Sequence, residues 1–188
     1  KIDLSNLQEV QKLQLPNFDI ASDVLLVNNA ATIGSILPLD KKVITDIINE
    51  YNLNIITPTI LCSKFINTYS DKKKMIINMG SGAANHAIAS WNTYCASKSA
   101  LDMLTKVISE EKHKNLTVFS VHPGVVDTDM QKEIRESDAN FFPLHQKFVD
   151  YYANKELFST NFIAFKLLQI IEKKDSFKEI ILNLRDFE

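Results

Sequence analysis

The chain of 188 residues is predicted to fold as one α/β domain built on a doubly wound parallel sheet. Two patterns lead there. Short apolar runs alternate with stretches whose apolar residues recur at helical spacing, and the chemically distinctive residues fall just after those runs, where such sheets bind ligands. A composition with 45% hydrophobic and 23% charged residues adds that the domain can bury a sizeable core.

In order, residues 1–4 read as the end of a strand. Ser5 with Gln8 reads as a capping box for a helix carried by Leu7, Val10 and Leu13, which ends before Pro16. Residues 23–27 suit a strand buried on both faces, delivering Asn28, Asn29, Ala30 and Ala31 at its end. Asp40 is expected to cap a helix reaching Tyr51, with Val43, Ile47 and Ile48 turned inward. A second helical pattern begins at Asn54 and runs through Ile60, Leu61, Phe65 and Ile66, with Pro58 tolerated near its first turn. The lysines at 72–74 read as a solvated loop before the strand 75–79, which ends at Gly80 and Ser81. A helix over 94–112 and a strand over 116–121 lead to His122, Pro123 and Gly124. Residues 129–158 carry Phe141, Phe142, Phe148, Tyr151, Tyr152, Leu157 and Phe158 on short helical pieces, and are expected to form a mobile flap whose aromatics serve the core. A helix over 160–171 and a strand over 180–184 close the pattern.

The formal net charge of −2 supplies no basic stripe for nucleic acid or an anionic membrane. No run of about 18 apolar residues could span a bilayer, and the polar start is no signal peptide. Cys62 and Cys95 read as free thiols of a cytoplasmic protein, and the four histidines (His86, His113, His122, His145) form no paired metal motif. Glycines stand only at 34, 80, 82 and 124, which leaves neither a Walker loop nor a Gly-x-Gly-x-x-Gly turn, since Asn85 occupies the third place after Gly80 and Gly82.

The candidate chemistry centres on Ser81, Tyr94 and Lys98. A tyrosine and a lysine at i and i+4 share a helix face, and an ammonium beside a phenol favours the phenolate. Tyr-x-x-x-Lys occurs three times, at Tyr69, Tyr94 and Tyr151. The residue thirteen places upstream separates them: Ile56 and Asp138 for the outer two, the hydroxyl of Ser81 for the middle one. Ser81 can hold a carbonyl oxygen within reach of the Tyr94 hydroxyl. Small neighbours such as Ala96, Ser97, Ser99 and Ala100 leave room for a cofactor.

These residues, with Asn28-Asn29-Ala30-Ala31, Asn54 and the run from Pro123 and Gly124 to Thr128, resemble the short-chain dehydrogenase/reductase family. The resemblance spans nearly the whole chain and implies a Rossmann-like sheet. Trp91, the segment 123–131 and Phe177-Lys178 are most similar to its sepiapterin and benzil reductase groups. Ala31 stands where the family pattern has glycine, and Asn183 where sepiapterin reductases carry a pterin-anchoring aspartate. The resemblance implies an NADPH-dependent reductase of a small ketone or diketone, with NAD also open as cofactor. In that reading Tyr94 transfers the proton, Lys98 lowers the tyrosine pKa and holds the nicotinamide ribose, Ser81 orients the carbonyl, and Asn54 holds a water. Asp3 and Leu4 flank adenine, Asn28 and Ala30 line the cofactor, and Thr128, after Pro123 and Gly124, binds its carboxamide or pyrophosphate.

Each residue also has a plainer reading: Asn54 and Thr128 as helix caps, Asp3 as an exposed end, Ser81 as a turn residue. Family members carry roughly 60 residues before the position of Asp3, including a glycine-rich turn. The single domain 1–188 is therefore expected to be N-terminally incomplete, lacking the first strand-helix units and exposing a sheet edge and an apolar face. The alternative function is a non-catalytic or inactive truncated module for binding or oligomer assembly. The helices holding Asn54 and Tyr94 resemble those through which the family pairs, so a homodimer or homotetramer is expected.

Overall fold

A computed structural model describes residues 1–18 and 20–187. Four parallel strands, β1 (Asp23–Asn28), β2 (Lys73–Met79), β3 (Leu116–His122) and β4 (Ile181–Asn183), lie side by side in chain order. The helices are α1 (Leu7–Lys12), α2 (Ile44–Tyr51), α3 (Thr57–Thr68), α4 (Asn92–Glu110), α5 (Asp129–Glu136), α6 (His145–Ala153) and α7 (Thr160–Glu172). They cover both faces of the sheet. Val24, Ile76 and Val118 pack with Cys62, Phe65 and Tyr69 of the α3 region and Ile108 of α4. On the other face, Met75, Ile77, Met79, Phe119 and Val121 pack with Ile163 and Ile170 of α7. The expected doubly wound sheet is present.

Several local expectations give way. Residues 1–4 pair with no strand; Leu4 and Ser5 are tied down through their carbonyls, by Thr57 Oγ1 at 2.7 Å and Asn52 Nδ2 at 3.1 Å. The cap of α1 is Asn6, whose side chain accepts from the amides of Gln8 and Glu9, while Glu9 accepts in return from Asn6 Nδ2. The pairing lies one residue later than Ser5–Gln8, and Glu9 closes it on the Asn6 side chain, the Asn6 amide going to the Asp3 carbonyl instead. Lys74 is not in a solvated loop. It is 2% exposed in β2, and its ammonium caps the C-terminal end of α3 on the carbonyls of Tyr69, Ser70 and Lys72.

β1 is buried on one face only. Leu25 and Val27 are 43% and 38% exposed, and the strand forms an open edge of the sheet. Asp40 lies in a separate 3₁₀ turn, Leu39–Lys41, and caps no helix. α2 is rotated from the expected pose: of the residues expected inside, Ile47 is half-buried but Val43 and Ile48 point outward at 59% and 51% exposure, and the buried residue is Glu50. An ion pair sets that rotation. Lys42 Nζ lies 2.6 Å from Glu50 Oε2 with both side chains almost fully buried, and Thr93 Oγ1 at the start of α4 joins both. Glu50 Oε1 also accepts from the Ser35 amide at 2.8 Å, which fastens the loop after β1.

α2 and α3 are joined by a π turn, Asn52–Ile56, in which the Thr57 amide donates to the Asn52 carbonyl five residues back. Pro58 has no N–H to give to the Asn54 carbonyl four residues before it, so the ladder widens there instead of breaking.

The segment 129–158 is a packed unit. Ile134, Phe142 and Phe148 close with Trp91, Ile33 and Ile36 into a third apolar cluster, so its inner aromatics are core as expected.

Candidate active site

β2 ends at Met79, and the Gly80 amide still pairs with the Val121 carbonyl at 2.9 Å, carrying the extended chain on to Ser81. Ser81 then opens a 3₁₀ turn, Gly82–Ala84, and its Oγ accepts from the Ala83 amide at 3.1 Å. On the facing element, the first turn of α4 is fixed from three sides. Ser90, in the left-handed region at φ 68°, donates to the Phe141 carbonyl; Asn92 Nδ2 donates to the Leu37 carbonyl at 2.9 Å; and Thr93 belongs to the Lys42–Glu50 pair.

Tyr94 and Lys98 project from that helix and are 8% and 3% exposed. Lys98 Nζ donates to the Met79 carbonyl at 2.8 Å and lies 5.7 Å from the centre of the Tyr94 ring. Burial pushes the Lys98 ammonium down to about 8, with the Asp102 carboxylate opposing. Burial likewise raises Tyr94 above the ordinary phenol value, against the hydrogen bond that the Ser81 hydroxyl gives it. Desolvation is the largest influence on Tyr94, and the lowering expected from its lysine does not appear.

Asn54, 1% exposed at the middle of the π turn, exchanges two hydrogen bonds with the backbone of Thr32, at 2.9 Å and 2.8 Å. Its Nδ2 also reaches Ser97 Oγ at 3.3 Å on the helix of Tyr94 and Lys98. It is a brace between loop and helix, and caps nothing.

The remaining predicted residues fall into two groups, one on each side of the β2 end. Leu4, Asn28 and Ala30 line one cavity of about 80 Å³ with Thr57, Pro58 and Leu61. The Asn28 side chain is spent inside the sheet, donating to Asn78 Oδ1 at 2.8 Å. Ala31 does not take up a positive φ, so alanine in place of glycine carries no strain there. Asp3 does not line that cavity; its exposed carboxylate accepts from the amide and hydroxyl of Ser5, which hold it below the usual carboxylate range.

The second group follows β3. Gly124 has φ +80°, and a Cβ there would lie 3.0 Å from both Phe158 and Arg185. A bridge between Val126 and Phe158 pins the loop, and Thr128 is the N-cap residue of α5 through its backbone carbonyl, while its Oγ1 donates to the Val126 carbonyl at 3.3 Å and makes no side-chain cap. Because β2 lies between β1 and β3, the two groups flank Ser81. Lys98 shows one protein acceptor for an ammonium with three donors. Those spare donors suit the hydroxyls of a nicotinamide ribose, whereas the cavity at Leu4, Asn28 and Ala30 is a notch much smaller than a dinucleotide. Asn183 has its side chain engaged with the Arg185 amide and Asp186.

Two clusters were not foreseen from the sequence. One is the Lys42–Glu50–Thr93 clamp. The other joins Asp102 of α4 to Ser120 and His122 of β3. Asp102 stands one helical turn after Lys98 and His122 directly before Pro123, which were the available signals. Gly80 touches the second cluster: a Cβ there would lie 2.5 Å from Ser120 Oγ and 2.6 Å from His122 Cδ2. Gly80→Ala is therefore expected to destabilise the fold by about 1–3 kcal/mol, by crowding a packed interior. Urea unfolding of the variant checks this, and an unchanged midpoint would contradict the crowding.

The family model described as "short chain dehydrogenase" matches residues 2–139. A benzil reductase ((S)-benzoin forming) from Bacillus subtilis (strain 168) is 32% identical over 183 residues, covering 92% of this chain and 75% of that protein. Sepiapterin reductase from Mus musculus is 31% identical over 186 residues, covering 94% of this chain and 70% of that protein. Among solved structures, a short-chain dehydrogenase from Sphingobium yanoikuyae in complex with NADPH superposes with a TM-score of 0.75 at 16% identity, covering 99% of this chain and 66% of that one, a likeness of fold.

Proposed function

The chain belongs to the short-chain dehydrogenase family, whose members are oxidoreductases, and from that premise we propose that it reduces a ketone or vicinal diketone with NADPH. The observation that carries this reading is the burial of the Tyr94 phenol beside Lys98, whose ammonium lies 5.7 Å from the centre of its ring. A phenol with a raised pKa holds the proton that carbonyl reduction consumes.

The bound nicotinamide would supply the hydride. Ser81 holds the carbonyl oxygen, and Tyr94 gives it a proton as negative charge develops there. Lys98 balances the phenolate left behind and, through its free donors, holds the nicotinamide ribose. Asn54 keeps the loop at Thr32 and the helix at Ser97 in register and holds a water beside Lys98. Leu4, Asn28 and Ala30 line the dinucleotide on one side, with Asp3 near its adenine; Pro123, Gly124 and Thr128 hold the other. The segment 129–158 covers the substrate. The neutral amide at Asn183 offers no ionic contact to a pterin, which favours a diketone.

We read the exposed apolar side chains of α2 (Ile44, Ile48) and α4 (Met103, Val107) as surfaces that pair copies into a dimer or tetramer. No helix among the described residues is long and apolar enough to cross a membrane, and the two free thiols suit a cytoplasmic enzyme.

Trp91 is the sole tryptophan and its ring centre lies 5.6 Å from that of Tyr94, so nicotinamide emission excited through it reports binding. Titration with NADPH is expected to saturate, NADH to bind more weakly, and benzil to be turned over faster than sepiapterin. Folded protein that binds neither nucleotide would overturn this reading in favour of a non-catalytic module.

A further inference from the structure

Asp102 is 5% exposed, and its carboxylate is divided between two partners on β3. Ser120 Oγ donates to Oδ1 at 2.6 Å, and His122 Nε2 meets Oδ2 at 2.8 Å. Ser120 is fully buried and His122 nearly so. A Cβ added to Gly80 would lie 2.9 Å from Asp102 Oδ1, and the residue before it, Met79, provides the carbonyl that holds Lys98 Nζ. Carboxylate and ammonium thus converge on the same dipeptide from positions one turn apart on a single helix face.

We propose that Asp102 is a positioning residue that keeps Lys98 charged in its buried site, with Ser120 and His122 holding the carboxylate in place. Among the described residues, Asp102 is the charged group that acts on Lys98. On α4 the Tyr94 ring centre lies 5.7 Å from the Lys98 ammonium and Asp102 stands one turn further on, with His122 of β3 bonded to that carboxylate. The end of β2 offers the Met79 carbonyl, which is uncharged, and the π turn reaches the helix through Asn54 at Ser97, also without charge. Burial alone drives an ammonium toward its neutral form, and the Asp102 carboxylate works against it. The inference rests on the proposed reductase only in that the charge on Lys98 is what that reaction uses.

The sign separates this role from a structural one. If Asp102 were only a plug between α4 and β3, replacing it would admit water and let the Lys98 pKa rise toward the ordinary lysine value. If it supplies charge, a neutral replacement makes that pKa fall.

The test is a pH titration of the whole chain labelled at lysine ¹³Cε, with the Lys98 signal identified by its loss in Lys98→Met. Asp102→Asn and Asp102→Ser are both expected to lower the Lys98 midpoint by roughly one unit, and Asp102→Glu to restore it. The alkaline limb of kcat/KM should move down with it. An unchanged or raised midpoint in either folded neutral variant would overturn the proposal. Because the midpoint is read without turnover, a wild-type chain that reduces no carbonyl would count against the proposed function alone.

Discussion

Tyr94→Phe is expected to lower carbonyl reduction by about 10²–10⁴-fold while leaving nucleotide affinity within about twofold. The substitution removes one oxygen and keeps the ring, which packs edge-on against Trp91 at 5.6 Å. Its phenol is the group placed to give a proton, and the Ser81 hydroxyl that remains is an alcohol with far weaker acidity. Steady-state kcat for the best carbonyl substrate, measured beside NADPH affinity by Trp91-sensitised emission, checks both halves. Turnover comparable to wild type would remove Tyr94 from the proposed chemistry, and a matching loss of nucleotide binding would make it a binding residue.

Lys42→Met is expected to destabilise the fold by about 3–5 kcal/mol, the cost of leaving a buried carboxylate without its ion partner. Glu50 is 3% exposed, and its other contacts, the Ser35 amide and the Thr93 hydroxyl, do not carry charge. The double variant Lys42→Met/Glu50→Leu should recover most of the loss, since apolar groups of similar volume replace buried ion pairs at little cost. Urea unfolding of the three proteins measures it; equal stability of the single variant and wild type would mean that water reaches Glu50. Thr93 immediately precedes Tyr94, so the clamp also sets where the phenol points, and the single variant should lose activity at temperatures where it remains folded.

The strands and most helices were legible because continuous apolar runs and helical spacing are local patterns. So was the Ser81–Tyr94–Lys98 set, through its spacing from a strand end. What escaped reading depends on partners distant in the chain. The apolar residues of α2 pointed to a buried face at Val43 and Ile48, yet Glu50 is the residue inside, because Lys42 and Thr93 meet it there. Lys74 reads as solvent-seeking in a run of lysines, but three carbonyls at the end of α3 wait for it. Asp102 gave no signal beyond its place one turn from Lys98, because its meaning lies in Ser120 and His122 across the sheet. The direction of the Tyr94 shift likewise depended on depth of burial, which spacing does not encode.

The rod from Ile44 to Thr68 is out of phase with itself. An α-helix turns by about 100° per residue, and a π turn holds one residue more than the α turn it replaces. Everything before Asn52 is therefore indexed by about 100° from where an unbroken helix would set it relative to α3. In the unbroken phase Glu50 would face away from Thr93 whenever Asn54 faced Thr32. The extra residue lets one rod satisfy both alignments, and the proline after it supplies the chemical reason the rod does not wind back into phase.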